Sequence, residues 1–140
     1  MQIINEPSET HLIKARQWCL LYTREPYVYN EDDLFFVKGD DCLGYAEYKL
    51  CAEMIHISWF CAPHNGAVCF QALLEFLQQR YIRAKSFKLG LSVWYDKGES
   101  PKAIGARLNL YYAFGFKIVG STWFDYVKGV NFKMERSLHS

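Results

Sequence analysis

The stretch MIHISWFC at residues 54–61, followed by APHN at 62–65 and GAVCFQALLEFL at 66–77, changes its period halfway. Up to Cys61 the alternation is two. Ile55, Ile57, Trp59 and Cys61 fall on one side, and Met54, His56, Ser58 and Phe60 on the other. Apolar residues on both sides predict a central strand covered on both faces. From Gly66 the spacing becomes helical: Phe70, Leu73, Leu74, Leu77 and Tyr81 share a stripe, while Gln71, Glu75, Gln78 and Gln79 face away. A strand at 87–95 follows, so 54–95 is a strand–helix–strand unit that requires a parallel, right-handed crossover. The turn through Gly66 opens a helix whose first N–H groups lack partners, and it is the expected ligand site.

Working outward, residues 2–5 read as a short strand. Ser8 then suits an N-cap, with Glu9 in the first turn and Leu12, Ala15, Cys19 and Tyr22 at helical spacing. That helix ends before Arg24-Glu25-Pro26. Residues 34–37 and 43–50 form a hairpin about Gly39-Asp40-Asp41. Downstream, Ser100 suits an N-cap, Pro101 the first helical position and Gly115 the position past the end, with Ile104, Leu108 and Tyr111 as the core stripe. Residues 116–126 and 131–138 close the chain as a hairpin about Lys128-Gly129. The fold class is α/β (α+β): a mixed, twisted, mostly antiparallel sheet with helices on both faces. With no repeat or linker, residues 1–140 read as one domain.

Composition narrows the function classes. A chain of 140 residues that is 51% hydrophobic can build a substantial core, and its 17% aromatic content leaves rings over for a groove or interface. The net charge of +1, with both signs interspersed, gives no basic stripe for nucleic acid. Apolar runs are too short to span a bilayer, and residues 1–7 lack the basic start and apolar stretch of a signal peptide. Five cysteines, an odd number without close pairs, fit free thiols in a reducing, cytoplasmic compartment.

The element order, together with NLYYAFGF at 109–116, resembles the GNAT superfamily of acyl-CoA-dependent N-acetyltransferases. LFFVKGDDCLGYA at 34–46 looks like the family's second hairpin, with Gly44 early in the following strand. Residues 57–63 look like the strand leading to the cofactor loop, and FKMERSL at 132–138 like the last strand. The resemblance implies an acetyl transfer from acetyl-CoA to a small-molecule or peptide amine, with the pyrophosphate on backbone N–H groups at a helix N-terminus.

In that family the cofactor loop reads Gln/Arg-x-x-Gly-x-Gly/Ala. The corresponding residues here are Asn65, Gly66, Ala67, Val68, Cys69 and Phe70. Asn65 stands where Gln or Arg is usual, and Val68 and Phe70 occupy small-residue positions, so the loop is degenerate. Side chains of that size are expected to crowd the phosphates, and replacing both with glycine is expected to raise affinity. The resemblance also implies cofactor contacts along Phe60 and Cys61, with the oxyanion held by backbone N–H near Phe60, and a phosphate contact from Arg107. Tyr111 matches the tyrosine that protonates the leaving thiolate, a role a phenol suits; it also lies on the apolar stripe of its helix and serves packing there. His56, then Glu53, are the candidate bases for the acceptor amine, either directly or through water. Each also has a purely structural use, His56 as a satisfied core group and Arg107 as an exposed helical residue.

Three other constellations carry weaker chemistry. Cys61, His64 and Cys69, with His56 nearby, are zinc-ligand types at a spacing that closes no familiar site, so no metal is expected. Cys61 and His64 form no activated thiolate pair by adjacency alone. Trp94, Tyr95, Trp123, Phe124 and Tyr126 can line an acceptor pocket, pack, or form a homodimer contact. The acidic, tyrosine-bearing segment 25–33 either faces a cationic acceptor or is a solvated loop. The alternative to an enzyme is an inactive binding or assembly module of the same fold that has lost coenzyme A.

Overall fold

The computed structural model describes residues 1–94, 101–123 and 129–138. The elements are β1 (Gln2–Ile4), α1 (Glu9–Thr23), β2 (Leu34–Lys38), β3 (Asp41–Cys51), β4 (Met54–Cys61), α2 (Gly66–Arg80), β5 (Ser86–Trp94), α3 (Pro101–Ala113), β6 (Lys117–Trp123) and β7 (Gly129–Ser137). They form a seven-stranded sheet in the order β1-β2-β3-β4-β5-β7-β6. β4 and β5 pair in parallel, whereas β1–β2, β2–β3, β5–β7 and β6–β7 pair antiparallel. The mixed sheet and the parallel crossover through α2 are as the sequence predicts. Tyr95, Ser100, Phe124, Tyr126 and Lys128 lie outside the described residues, as do the side chains of Trp94 and Trp123.

The chain divides into two compact units. The first comprises Met1–Tyr48 and Ser58–Arg80. Its helix α1 opens on a capping box: Ser8 Oγ accepts from the His11 N–H at 3.3 Å and His11 Nδ1 from the Ser8 N–H at 3.1 Å. The helix stops at Arg24, whose φ of 61° is left-handed. His11 and Ala15 are buried, and Leu12, Trp18 and Cys19 pack against the same core. Tyr22, predicted on the core stripe, is exposed. His11 sets this rotation, since its Nε2 reaches the Gly39 carbonyl oxygen at 2.9 Å and its face of α1 turns inward. Gly39 itself takes φ 62° in the tight β2–β3 turn.

The second unit comprises Lys49–Ile57 and Tyr81–Ser140. Ile104, Leu108 and Tyr111 of α3 pack against buried Leu91 of β5 and Val130 of β7. The helix ends at Gly115, φ 87°, with the Phe116 N–H donating to the Tyr111 carbonyl at 3.1 Å. Of β4, the odd-numbered face is the better covered. Ile55, Ile57 and Cys61 are buried, whereas Met54, His56 and Phe60 are half-buried and Ser58 is exposed. Coverage of both faces is therefore only partial.

Candidate functional site

The junction from β4 into α2 lies in the first unit. The Cys69 N–H donates to the Asn65 carbonyl at 3.0 Å, which makes Asn65 the residue that opens the helix. The Asn65 N–H is itself bonded to the Ala62 carbonyl at 3.3 Å. The next three N–H groups, of Gly66, Ala67 and Val68, precede the first intrahelical donor. Among the described residues no capping side chain accepts from them, in contrast to the closed capping box of α1. Their aligned amides carry the positive end of the helix dipole and suit an anion.

The two bulky side chains beside these amides differ in their surroundings. Val68 is 60% exposed, and Phe70 is 0% exposed with its ring 5.0 Å from that of Phe60. Phe60 in turn meets Phe36 edge-on at 6.0 Å. Phe70 is thus a core residue of α2, alongside Cys69, Leu73, Leu74 and Leu77. The sequence expectation of a large ring crowding the amides gives way to a ring held under the sheet. Gly66 adds no side chain, so an approach to the helix end by a diphosphate fits these residues.

Gly44 of β3 fixes where that junction sits. A Cβ there would lie 2.6 Å from the Cys61 carbonyl oxygen and 2.8 Å from the Ala62 Cβ. Only glycine lets the end of β4 come this close to β3. The parallel ladder between β4 and β5 runs over Met54–Ile57 and Ser86–Leu89. β4 continues to Cys61 past its last β5 rung.

The two candidate bases lie in the second unit. Glu53 is exposed in the β3–β4 turn, its carboxylate 2.9 Å from Lys85 Nζ and its carbonyl accepting the Lys85 N–H at 2.6 Å. His56 is half-buried. Burial, then the positive charges of Lys49 and Lys88, lower its pKa from the usual 6.5, so its ring is neutral at pH 7. The neutral ring therefore contributes stability that is fully present above pH 6.5 and is lost as pH falls through the lowered value. Thermal melts should show this directly: below pH 6.5 the wild-type Tm falls more steeply than that of His56→Gln. Parallel Tm–pH profiles for the two proteins would contradict it.

Tyr111 is half-buried on α3, its ring 6.3 Å from Phe116. Burial raises its pKa and the nearby Arg107 guanidinium opposes the rise, so the phenol keeps its proton at neutral pH. The buried thiols are poor nucleophiles: burial pushes Cys61 up to about 12 and Cys69 up to about 11. All five cysteines are free. Among the described residues no cluster of three His, Cys, Asp or Glu residues is placed to hold a metal ion. None of the described helices is long and apolar enough to cross a membrane.

Two features escaped the sequence reading. Asp33, in the segment read as either acceptor-facing or a solvated loop, is buried. It accepts from the Tyr27 hydroxyl at 2.7 Å and from the Asn30 N–H at 3.1 Å. Burial raises its pKa and the Tyr27 bond opposes the rise. The spacing Tyr27-x-x-Asn30-x-x-Asp33 was the available signal. The second feature is Tyr45 with Trp59, whose phenol oxygen and indole nitrogen are buried without a hydrogen-bond partner among the described residues. Nothing in the sequence marks that pair.

No family model matches the sequence, and no curated protein does. Solved structures do. Ard1 from Thermoplasma volcanium superposes with a TM-score of 0.69 at 14% identity, covering 99% of this chain and 98% of that one. An aminoglycoside 6'-N-acetyltransferase complexed with coenzyme A gives 0.68 at 13% identity, over 98% and 97%. The ribosomal-protein-S18-alanine N-acetyltransferase from Escherichia coli gives 0.63 at 14%, over 98% and 93%. Likenesses over essentially the whole chain at such low identity show the fold. It is the GNAT fold.

Proposed function

We propose that this protein is a GNAT-type N-acyltransferase that moves an acetyl group from acetyl-CoA to an amine. The observation that carries this reading is the start of α2 just past β4, where among the described residues no side chain caps the N–H groups of Gly66, Ala67 and Val68. The N–H groups of Gly66, Ala67 and Val68 take the pyrophosphate, with Asn65 and Cys69 holding the turn in shape. The backbone of Phe60 and Cys61 lines the acyl end, and Arg107 contributes to phosphate binding. Bound acetyl-CoA supplies an acyl carbon activated by a thiol leaving group. Tyr111, kept protonated by burial, has a proton to give the departing thiolate. His56, neutral at pH 7, can take the proton of the acceptor amine through water. Glu53, already paired with Lys85, is the second base.

An inactive module of the same fold gains no support, because its case rested on the bulk of Val68 and Phe70. The acceptor class is an amine of a small molecule or a peptide; proteins of this fold include enzymes for an aminoglycoside and for a ribosomal-protein alanine. The free cysteines accord with a reducing, cytoplasmic setting.

Calorimetric titration with acetyl-CoA tests the reading. Saturable binding is expected in the wild type, weakened roughly tenfold in Val68→Asp by repulsion between the new carboxylate and the pyrophosphate. The same carboxylate favours the helix dipole by about 0.3–1 kcal/mol, so the free variant should melt no lower than wild type. Absence of binding at millimolar acetyl-CoA would overturn the reading.

A further inference from the structure

Lysines that the sequence scatters at 49, 88, 117 and 133 are gathered by the sheet of the second unit. His56 of β4 pairs with Lys88 of β5, Lys88 with Glu135 of β7, and Glu135 with Lys117 of β6. Partners in register project to the same face, so these four side chains form one row across four strands. The opposite face carries buried Leu89, Leu91 and Met134, and it is the one on which α3 packs. The charged row therefore lies on the face away from α3. Lys133, two residues before Glu135 on β7, stands on that same face and is exposed. Lys49 of β3 lies close enough to His56 for its charge to act on the ring, as that of Lys88 does.

Among the described residues none of these four lysines belongs to an ion pair. Lys88 separates Glu135 from His56 along the row, so the charges that act on His56 are both positive. An acceptor that gives its proton toward His56 must approach these two cations. A simple alkylammonium, positive at pH 7, is repelled by them. An amine that also carries a carboxylate is drawn in, because its anionic end meets the lysines while its nitrogen meets the neutral ring. The same cations favour the uncharged form of the amine, which is the form that attacks the thioester. Neighbouring strands stand about 4.8 Å apart, which puts the two ends of such an acceptor a few bonds from each other. We infer that the acceptor is an amine bearing an anionic group, as in an amino acid or the N-terminus of an acidic peptide, and that Lys88 and Lys49 hold that group beside His56. This rests on the acetyl-CoA reading, with His56 as its base, and names the substrate class of that same site.

Initial rates of thiol release from acetyl-CoA test this with matched acceptors: β-alanine against propylamine, and a peptide beginning Ala-Asp-Glu against one beginning Ala-Lys-Lys. In the wild type the anionic member should lead by roughly tenfold or more in kcat/KM, mainly through KM. The pair that shows the larger ratio separates a free amino acid from a peptide acceptor. Lys88→Gln and Lys49→Gln should each shrink the ratio, and Lys88→Glu should invert it. With no ion pair lost, these variants should melt with the wild type. The His56 ring titration, followed by proton NMR, should move upward in Lys88→Gln because a neighbouring cation is gone. A wild type that prefers the cationic acceptors, a ratio that Lys88→Glu leaves unchanged, or an unmoved His56 titration would overturn the inference alone. So would a wild type that binds acetyl-CoA in calorimetry yet acetylates neither anionic acceptor. If calorimetry shows no acetyl-CoA binding, the reading itself falls and takes the inference with it.

Discussion

Phe70→Ala should cost the fold about 3–5 kcal/mol, the usual penalty for emptying a fully buried phenylalanine site. In a chain of this size that lowers Tm by roughly 10–15 °C, measurable by calorimetry or circular dichroism. The ring fills the space between α2 and the sheet, resting on Phe60 at 5.0 Å, and Phe60 rests in turn on Phe36. Because Phe70 is fully buried against Phe60, acetyl-CoA affinity measured well below Tm should not rise in this variant. A clear gain in affinity with little loss of stability would show that the ring crowds the loop after all.

The second large effect is at Gly44. An alanine there brings its Cβ to 2.6 Å from the Cys61 carbonyl oxygen and 2.8 Å from the Ala62 Cβ. Both neighbours are backbone or one bond from it, so no flexible side chain can swing away. The strand end must move or the variant must pay about 3 kcal/mol in overpacking. Gly44→Ala should therefore lower Tm and weaken acetyl-CoA binding together, since the displaced residues lead directly into Asn65 and Gly66. Normal stability with normal binding would mean that the close approach of β3 and β4 does not position the site.

Much of this was legible in the chain because backbone periodicity is a local property. β4 spans Met54–Cys61 and α2 opens at Gly66, as the change of period from two to helical spacing predicts. Gly115 takes its left-handed C-terminal conformation for the reason its position after Ala113-Phe114 suggests. Phe70 shows where local reading reached its limit. Its spacing to Leu73, Leu74 and Leu77 put it on the core stripe, while its place in the loop pattern put it beside the phosphates. One side chain cannot serve both, and packing against Phe60 decides for the core.

Tertiary partners account for the rest. Tyr22 keeps helical register with Ala15 yet is exposed, because the His11 bond to Gly39 sets the rotation of α1. Asp33 is buried rather than solvated because Tyr27 and Asn30 supply two donors to it. The orphaned pair of Tyr45 and Trp59 depends on side chains from two strands meeting under α1, and no spacing rule encodes that.

The central claim is that the amides opening α2 are the anion-binding end of an acetyl-CoA site. Its most direct test is a titration of nitrogen-15-labelled protein with acetyl-CoA, followed through the backbone amide resonances. Saturable shifts centred on Gly66, Ala67 and Val68 are expected, where the N–H groups gain an acceptor. The absence of any shift at millimolar acetyl-CoA, or shifts that leave these three amides untouched, would contradict it.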